Sequence, residues 1–180
     1  MLGGCKKSSS NENTTTPETL SFVWLAYSRG GSLAQPVNNM VMKAIIKNID
    51  NLAIKPKFVV FGGDMSYRGY IKPNYTFHAW KDLFISLTGK GIPLYTALGN
   101  QELWREDADS GFLLKNQQEY QSVLSENPSN GPTGYEHLAY SFTSPGGAAP
   151  CSWFWMHTTS PMIPSLKTLE AILTTPRCRG

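Results

Sequence analysis

Three short runs set polar side chains at or directly behind apolar stretches. Tyr27-Ser28-Arg29 follows Leu20–Tyr27, Gly62-Gly63-Asp64 follows Phe58–Phe61, and Gly99-Asn100-Gln101-Glu102 follows Ile92–Leu98. The second is the sharpest. An unbroken run of β-branched and aromatic residues reads as a strand buried on both faces. The glycines behind it let the backbone turn sharply and approach a ligand closely. One carboxylate, Asp64, then stands at the carboxyl end of that strand, where open α/β sheets bind ligands. Arg68 follows in the same loop, and a guanidinium suits a phosphate or a neighbouring carboxylate. On this run alone, a ligand-binding carboxylate and a solvated turn aspartate are equally good readings.

The elements that would position these groups alternate. Leu20–Tyr27 is a strand candidate closed by Ser28-Arg29-Gly30-Gly31-Ser32. Pro36–Leu52 then sets Val37, Met40, Val41, Ala44, Ile45, Ile49 and Leu52 on one helical stripe, with Pro36 suited to the first turn. After the central strand, Phe77, Trp80, Phe84 and Leu87 predict a second amphipathic helix ended by Gly89-Lys90-Gly91. Ile92–Leu98 predicts a third strand, Gly111–Ser125 a third helix and Leu138–Thr143 a last strand, broken at Pro145-Gly146-Gly147. Strands alternating with helices predict right-handed β-α-β units, an α/β fold with a largely parallel sheet.

Composition bounds the class without naming a function. At 180 residues the chain has room for one domain with a core of useful size. A net charge of +3 is too small to suggest nucleic acid, and no run approaches transmembrane length. The 3 cysteines show no close metal-ligand spacing, and an odd count argues against a disulfide framework.

Residues 1–19 read as a polar tether. The run from Ser8 to Pro17 cannot bury enough to order itself. Ahead of it, Leu2-Gly3-Gly4-Cys5 resembles the lipobox of bacterial lipoproteins, which would make Cys5 a lipidation candidate and the only membrane attachment. No apolar signal region precedes it, because Met1 adjoins Leu2. Either an upstream signal exists and the protein is extracytoplasmic, or the likeness is coincidental and the chain as it stands is cytoplasmic.

Taken together, the three strand ends resemble the calcineurin-like metallophosphoesterase family. Its first strand ends Asp-x-His or Asp-x-Arg, its second Gly-Asp-x-x-x-Arg and its third Gly-Asn-His-Glu. The resemblance covers residues 20–147 and implies an α/β sandwich with a pair of divalent metals of the Mn, Fe or Zn class. In such a centre paired metals bind phosphate oxygens, activate a water and stabilise in-line displacement at phosphorus. By position it implies Asp64 as the bridging metal ligand and Asn100 as an amide-oxygen ligand. It also implies Arg29 and Arg68 as phosphate-binding residues and a phosphoester as substrate.

The departures are as informative as the matches. Tyr27 stands at the first aspartate position, and a neutral phenol with a reference pKa near ~10 is a poor ligand for a hard cation. Gln101 stands at the family's histidine position, where it can hydrogen-bond but cannot transfer a proton at neutral pH. Each change is within a single base of the family residue. The family's later histidine ligands have no counterpart. His78 reads as a partly buried packing residue, His137 as solvated, and His157 has no partner at ligand spacing. The resemblance therefore implies at most one weakly bound metal here. The expected product is a phosphoesterase fragment that is inactive or severely impaired, or a non-catalytic phosphate- or metal-binding α/β module.

Residues 148–180 depart altogether. The run Ala148–Pro161 shows neither helical nor strand periodicity. Trp153-Phe154-Trp155-Met156 must be encoded TGG-TTY-TGG-ATG. Codons begun one base earlier give an apolar residue, then valine, leucine and aspartate, whatever synonymous codons were used. That is the strand ending Leu-Asp which the family carries after this turn. The expectation is a frame change near Gly147, a truncated domain over 20–147 and a disordered tail in which Cys151 and Cys178 carry no function.

Overall fold

The computed structural model describes residues 20–32, 34–67, 77–103, 110–144, 152–155 and 173–174. The fold is mixed α/β around a parallel sheet. β1 (Val23–Leu25) is followed by a hairpin of β2 (Arg29–Ser32) and β3 (Gln35–Val37), and then by α1 (Asn39–Asp50). β4 (Val59–Phe61), α2 (Phe77–Asp82), α3 (Ile85–Thr88) and β5 (Leu94–Thr96) come next. α4 (Asn100–Leu103), α5 (Ser110–Val123) and β6 (Tyr140–Phe142) complete the main body, and β7 (Ser152–Trp155) and β8 (Leu173–Thr174) close it. The parallel sheet has the order β1-β4-β5, with Val23 beside Val59 and Val59 beside Leu94. No described helix is long and apolar enough to cross a membrane.

β4 is central because all of its residues are buried. Val59 and Phe61 face a core with Met42, Ile46, Ile49, Trp80, Phe84, Leu87 and Tyr120, where Phe61 meets Trp80 edge-on at 4.7 Å. Phe58 and Val60 face the opposite side, under Tyr140 and Phe142, with Phe58 and Phe142 edge-on at 5.3 Å. Continuous apolarity thus does what it predicts: it fills both faces of one strand.

A buried polar network ties β5 to α5 and β6. The Tyr140 hydroxyl donates to the Thr96 carbonyl at 2.6 Å and accepts from the Thr96 N–H at 2.9 Å. The Thr96 and Tyr120 hydroxyls lie 2.7 Å apart, and Asn127 Nδ2 donates to Thr96 Oγ1 at 2.8 Å. Burial raises the pKa of both tyrosines above the ordinary phenol value, so both hydroxyls stay protonated donors.

Several sequence expectations are corrected. Pro36 lies in β3, where a missing N–H is tolerated at an edge, and not in a helix. α1 buries Met42, Ile46 and Ile49, whereas Met40 is 82% exposed and Val41 and Leu52 are also exposed. Apolar residues cover so much of this helix that several stripes are available, and packing against β4 selects one. The second helix is split at Leu83-Phe84, where Leu83 and Phe84 N–H groups reach the carbonyls of Trp80 and Lys81 in tightened turns. β6 lies outside the parallel sheet and pairs antiparallel with β7, and β7 pairs antiparallel with β8. Within 148–180 the described residues are those of β7 and β8; Trp and Phe are strand-favouring residue types.

Candidate functional site

Because β1, β4 and β5 run parallel, their carboxyl ends open on one edge of the sheet. The three loops that leave them are fastened by backbone contacts. Tyr27 N–H donates to the Gly63 carbonyl at 3.2 Å and Arg29 N–H to the Asp64 carbonyl at 3.1 Å. Between them Ser28 is buried; its Oγ donates to the Met65 carbonyl at 2.8 Å and accepts from Trp80 Nε1 at 2.8 Å. The first and second loops are therefore one unit.

Glu102 joins the second loop to the third. Its Oε2 accepts from Asp64 N–H at 2.9 Å and Gly99 N–H at 2.7 Å, and its Oε1 from Ser66 N–H at 3.1 Å. The side chain is fully buried, and burial pushes its pKa up to about 7, against the lowering effect of these donors and with the nearby Asp64 charge adding to the rise. Close approach of the loops demands glycine. A Cβ on Gly63 would lie 2.6 Å from Gly99 N, and one on Gly99 would overlap Asp64 N and Oδ1. Neither strand-end position nor the family likeness assigns Glu102 a role. Its signal is the Gly-x-x-Glu spacing, in which a glutamate reaches back to the N–H preceding its own helix, as in a capping box.

Asp64 is 7% exposed, and its Oδ1 accepts from Gln101 N–H at 3.2 Å. Asn100 is exposed at the start of α4, close by through that same contact. Gln101 is 5% exposed and its Oε1 is buried with no hydrogen-bond partner. Tyr27 is 70% exposed and Arg29 is exposed in β2. Arg68, Cys5, Cys151, Cys178 and His157 lie outside the described residues. Two histidine readings are corrected. His78 is exposed, since its helix turns Phe77 and Trp80 inward instead. His137 is half-buried with Nδ1 2.5 Å from the Asn127 carbonyl, an acceptor that makes Nδ1 the protonated nitrogen.

Backbone conformation singles out position 27. Tyr27 has φ 61° and Asp64 φ 57°. This left-handed region suits Asp and Asn and disfavours bulky side chains. Tyr27→Asn and Tyr27→Asp are each expected to raise stability by about 0.5–1 kcal/mol. Urea unfolding checks this, and a lower midpoint in both variants would show that the tyrosine ring contributes more than its backbone loses.

The donor set can be tested against a metal pair. A hard divalent cation takes about six ligands. Among the described residues no group of three or more His, Cys, Asp or Glu side chains could hold a metal ion. The Glu102 carboxylate is committed to backbone N–H groups, and Tyr27 presents a phenol. These residues do not fit two metals. No family model, curated protein or solved structure matches the chain.

Proposed function

We propose that residues 20–147 are the first half of a calcineurin-like metallophosphoesterase sandwich whose strand-end site binds one divalent cation, and phosphate beside it, without efficient turnover. The observation that supports this best is the clasp itself. Three parallel strand ends lie side by side, with Asp64 and Asn100 on loops cross-linked by Glu102. A bound cation would supply charge to hold phosphate oxygens and to acidify a water. The chain's own residues limit the chemistry to binding. Asp64 keeps one oxygen outside its contact with Gln101, Asn100 offers an exposed amide, and the guanidinium of Arg29 can pair with phosphate. Gln101 cannot pass a proton at neutral pH and Tyr27 adds no carboxylate. Turnover is lost at those two positions and with the family's later histidine ligands, which have no counterpart in this sequence.

Hydrolysis of p-nitrophenyl phosphate with Mn²⁺ tests the reading. The chain as it stands is expected to show background rates. The double variant Tyr27→Asp/Gln101→His, in a gene whose frame after Gly147 is corrected, is expected to gain at least about 10²-fold, the low end of what a positioned acid–base group contributes. No gain would remove the case for a damaged phosphoesterase site. Lipidation at Cys5 would place the protein outside the cytoplasm.

A further inference from the structure

We infer that Gln101 is itself a cation ligand, its side-chain oxygen joining Asp64 and Asn100 in a mononuclear, all-oxygen site for a hard divalent cation. The inference rests on the proposed binding site and names the role of a residue that the family resemblance reads only as a lost histidine.

The orphaned oxygen carries the argument. Gln101 Oε1 is buried without a hydrogen-bond partner, although the residue's own N–H donates to Asp64 Oδ1 at 3.2 Å. Buried acceptors are almost always satisfied, and an exception calls for a bound water or ion. The local N–H groups offer no remedy. Those of Asp64, Ser66 and Gly99 are taken by Glu102, and that of Gln101 by Asp64. What is left is an unsatisfied buried oxygen on the residue whose backbone N–H holds the Asp64 carboxylate. Carboxylate and amide oxygens with water suit Mg²⁺, Ca²⁺ or Mn²⁺, and a site without nitrogen or sulfur donors disfavours softer metals. In place of a proton donor, position 101 then supplies a neutral oxygen ligand, which favours holding a cation over turning over a substrate.

Calorimetric titration of the full chain with Mn²⁺, Mg²⁺ and Ca²⁺, alongside thermal melting, separates the possibilities. Asp64→Asn keeps an acceptor for Gln101 and tolerates the left-handed backbone, and it should abolish binding. Gln101→Leu should weaken binding by about tenfold or more, since even outer-shell partners of a metal are worth that much. The same variant should melt higher than the parent without metal, because the orphaned oxygen is gone. Gln101→Glu should bind more tightly, and it carries the test if the leucine variant does not fold. Parent-like affinity in Gln101→Leu, with binding lost in Asp64→Asn, would overturn the ligand role and leave the cation site standing; so would a glutamate variant that binds no better than the parent. An unmodified chain that binds none of the three cations would overturn both.

Discussion

Glu102→Ala is expected to destabilise the fold by about 3–5 kcal/mol, the largest effect of any single side-chain truncation at the strand ends. The carboxylate accepts from three backbone N–H groups on two loops. Alanine leaves all three buried and unpaired, each at about 1–3 kcal/mol, less what water recovers by entering the space. Glu102→Gln is the informative companion. It keeps one acceptor oxygen and removes a charge whose pKa burial has pushed up to about 7, so its loss should be about 1–2 kcal/mol. Urea unfolding at neutral pH gives both values. An alanine variant within about 1 kcal/mol of the parent would mean that the loops are held by something other than this carboxylate.

Gly63→Ala is expected to cost about 2–4 kcal/mol. At φ +84° any side chain meets the left-handed penalty of about 1–2 kcal/mol. Here the added carbon would also lie 2.6 Å from Gly99 N and 2.7 Å from Gly99 Cα, backbone atoms that cannot rotate away. That overlap adds about 1–3 kcal/mol. Gly91 provides the control, because it has φ +79° with nothing within 4 Å of a built Cβ. Gly91→Ala should show the conformational part alone. Equal losses in the two variants would refute the close approach of the second and third loops.

How far the sequence foretells this fold depends on where the information is local. The central strand is legible because Phe58–Phe61 is apolar without interruption, and the structure buries it on both faces. The parallel pairing is legible in the alternation of strand and helix. The rotation of α1 is not, since apolar residues at Val41, Met42, Ile45 and Ile46 support several buried faces and only packing against β4 chooses. The β2–β3 hairpin is hidden because Gly30 and Gly31 read as turn while Pro36 reads as helix start. At the site, Asp64 and Asn100 are marked by their place behind strands. The inward side chain of Gln101 is invisible, because burial of a polar residue depends on the neighbouring loop. Glu102 is within reach through its spacing from Gly99, a local relation that needs no tertiary knowledge.

The two-sided burial of β4 has a consequence for synthesis. Its Val59–Phe61 side can close early, since Met42, Ile46 and Ile49 precede the strand and Trp80, Phe84 and Leu87 come soon after. The other side cannot. Phe58 and Val60 wait for Tyr140 and Phe142, which leave the ribosome last among the core residues. Until then Leu20, Phe22 and Tyr95 cover that side only in part, with Phe22 stacked on Phe58 at 5.2 Å, and the nascent chain carries an incompletely covered aromatic surface, the kind that recruits chaperones or other chains. Any shortening of the chain before β6 makes that interval permanent.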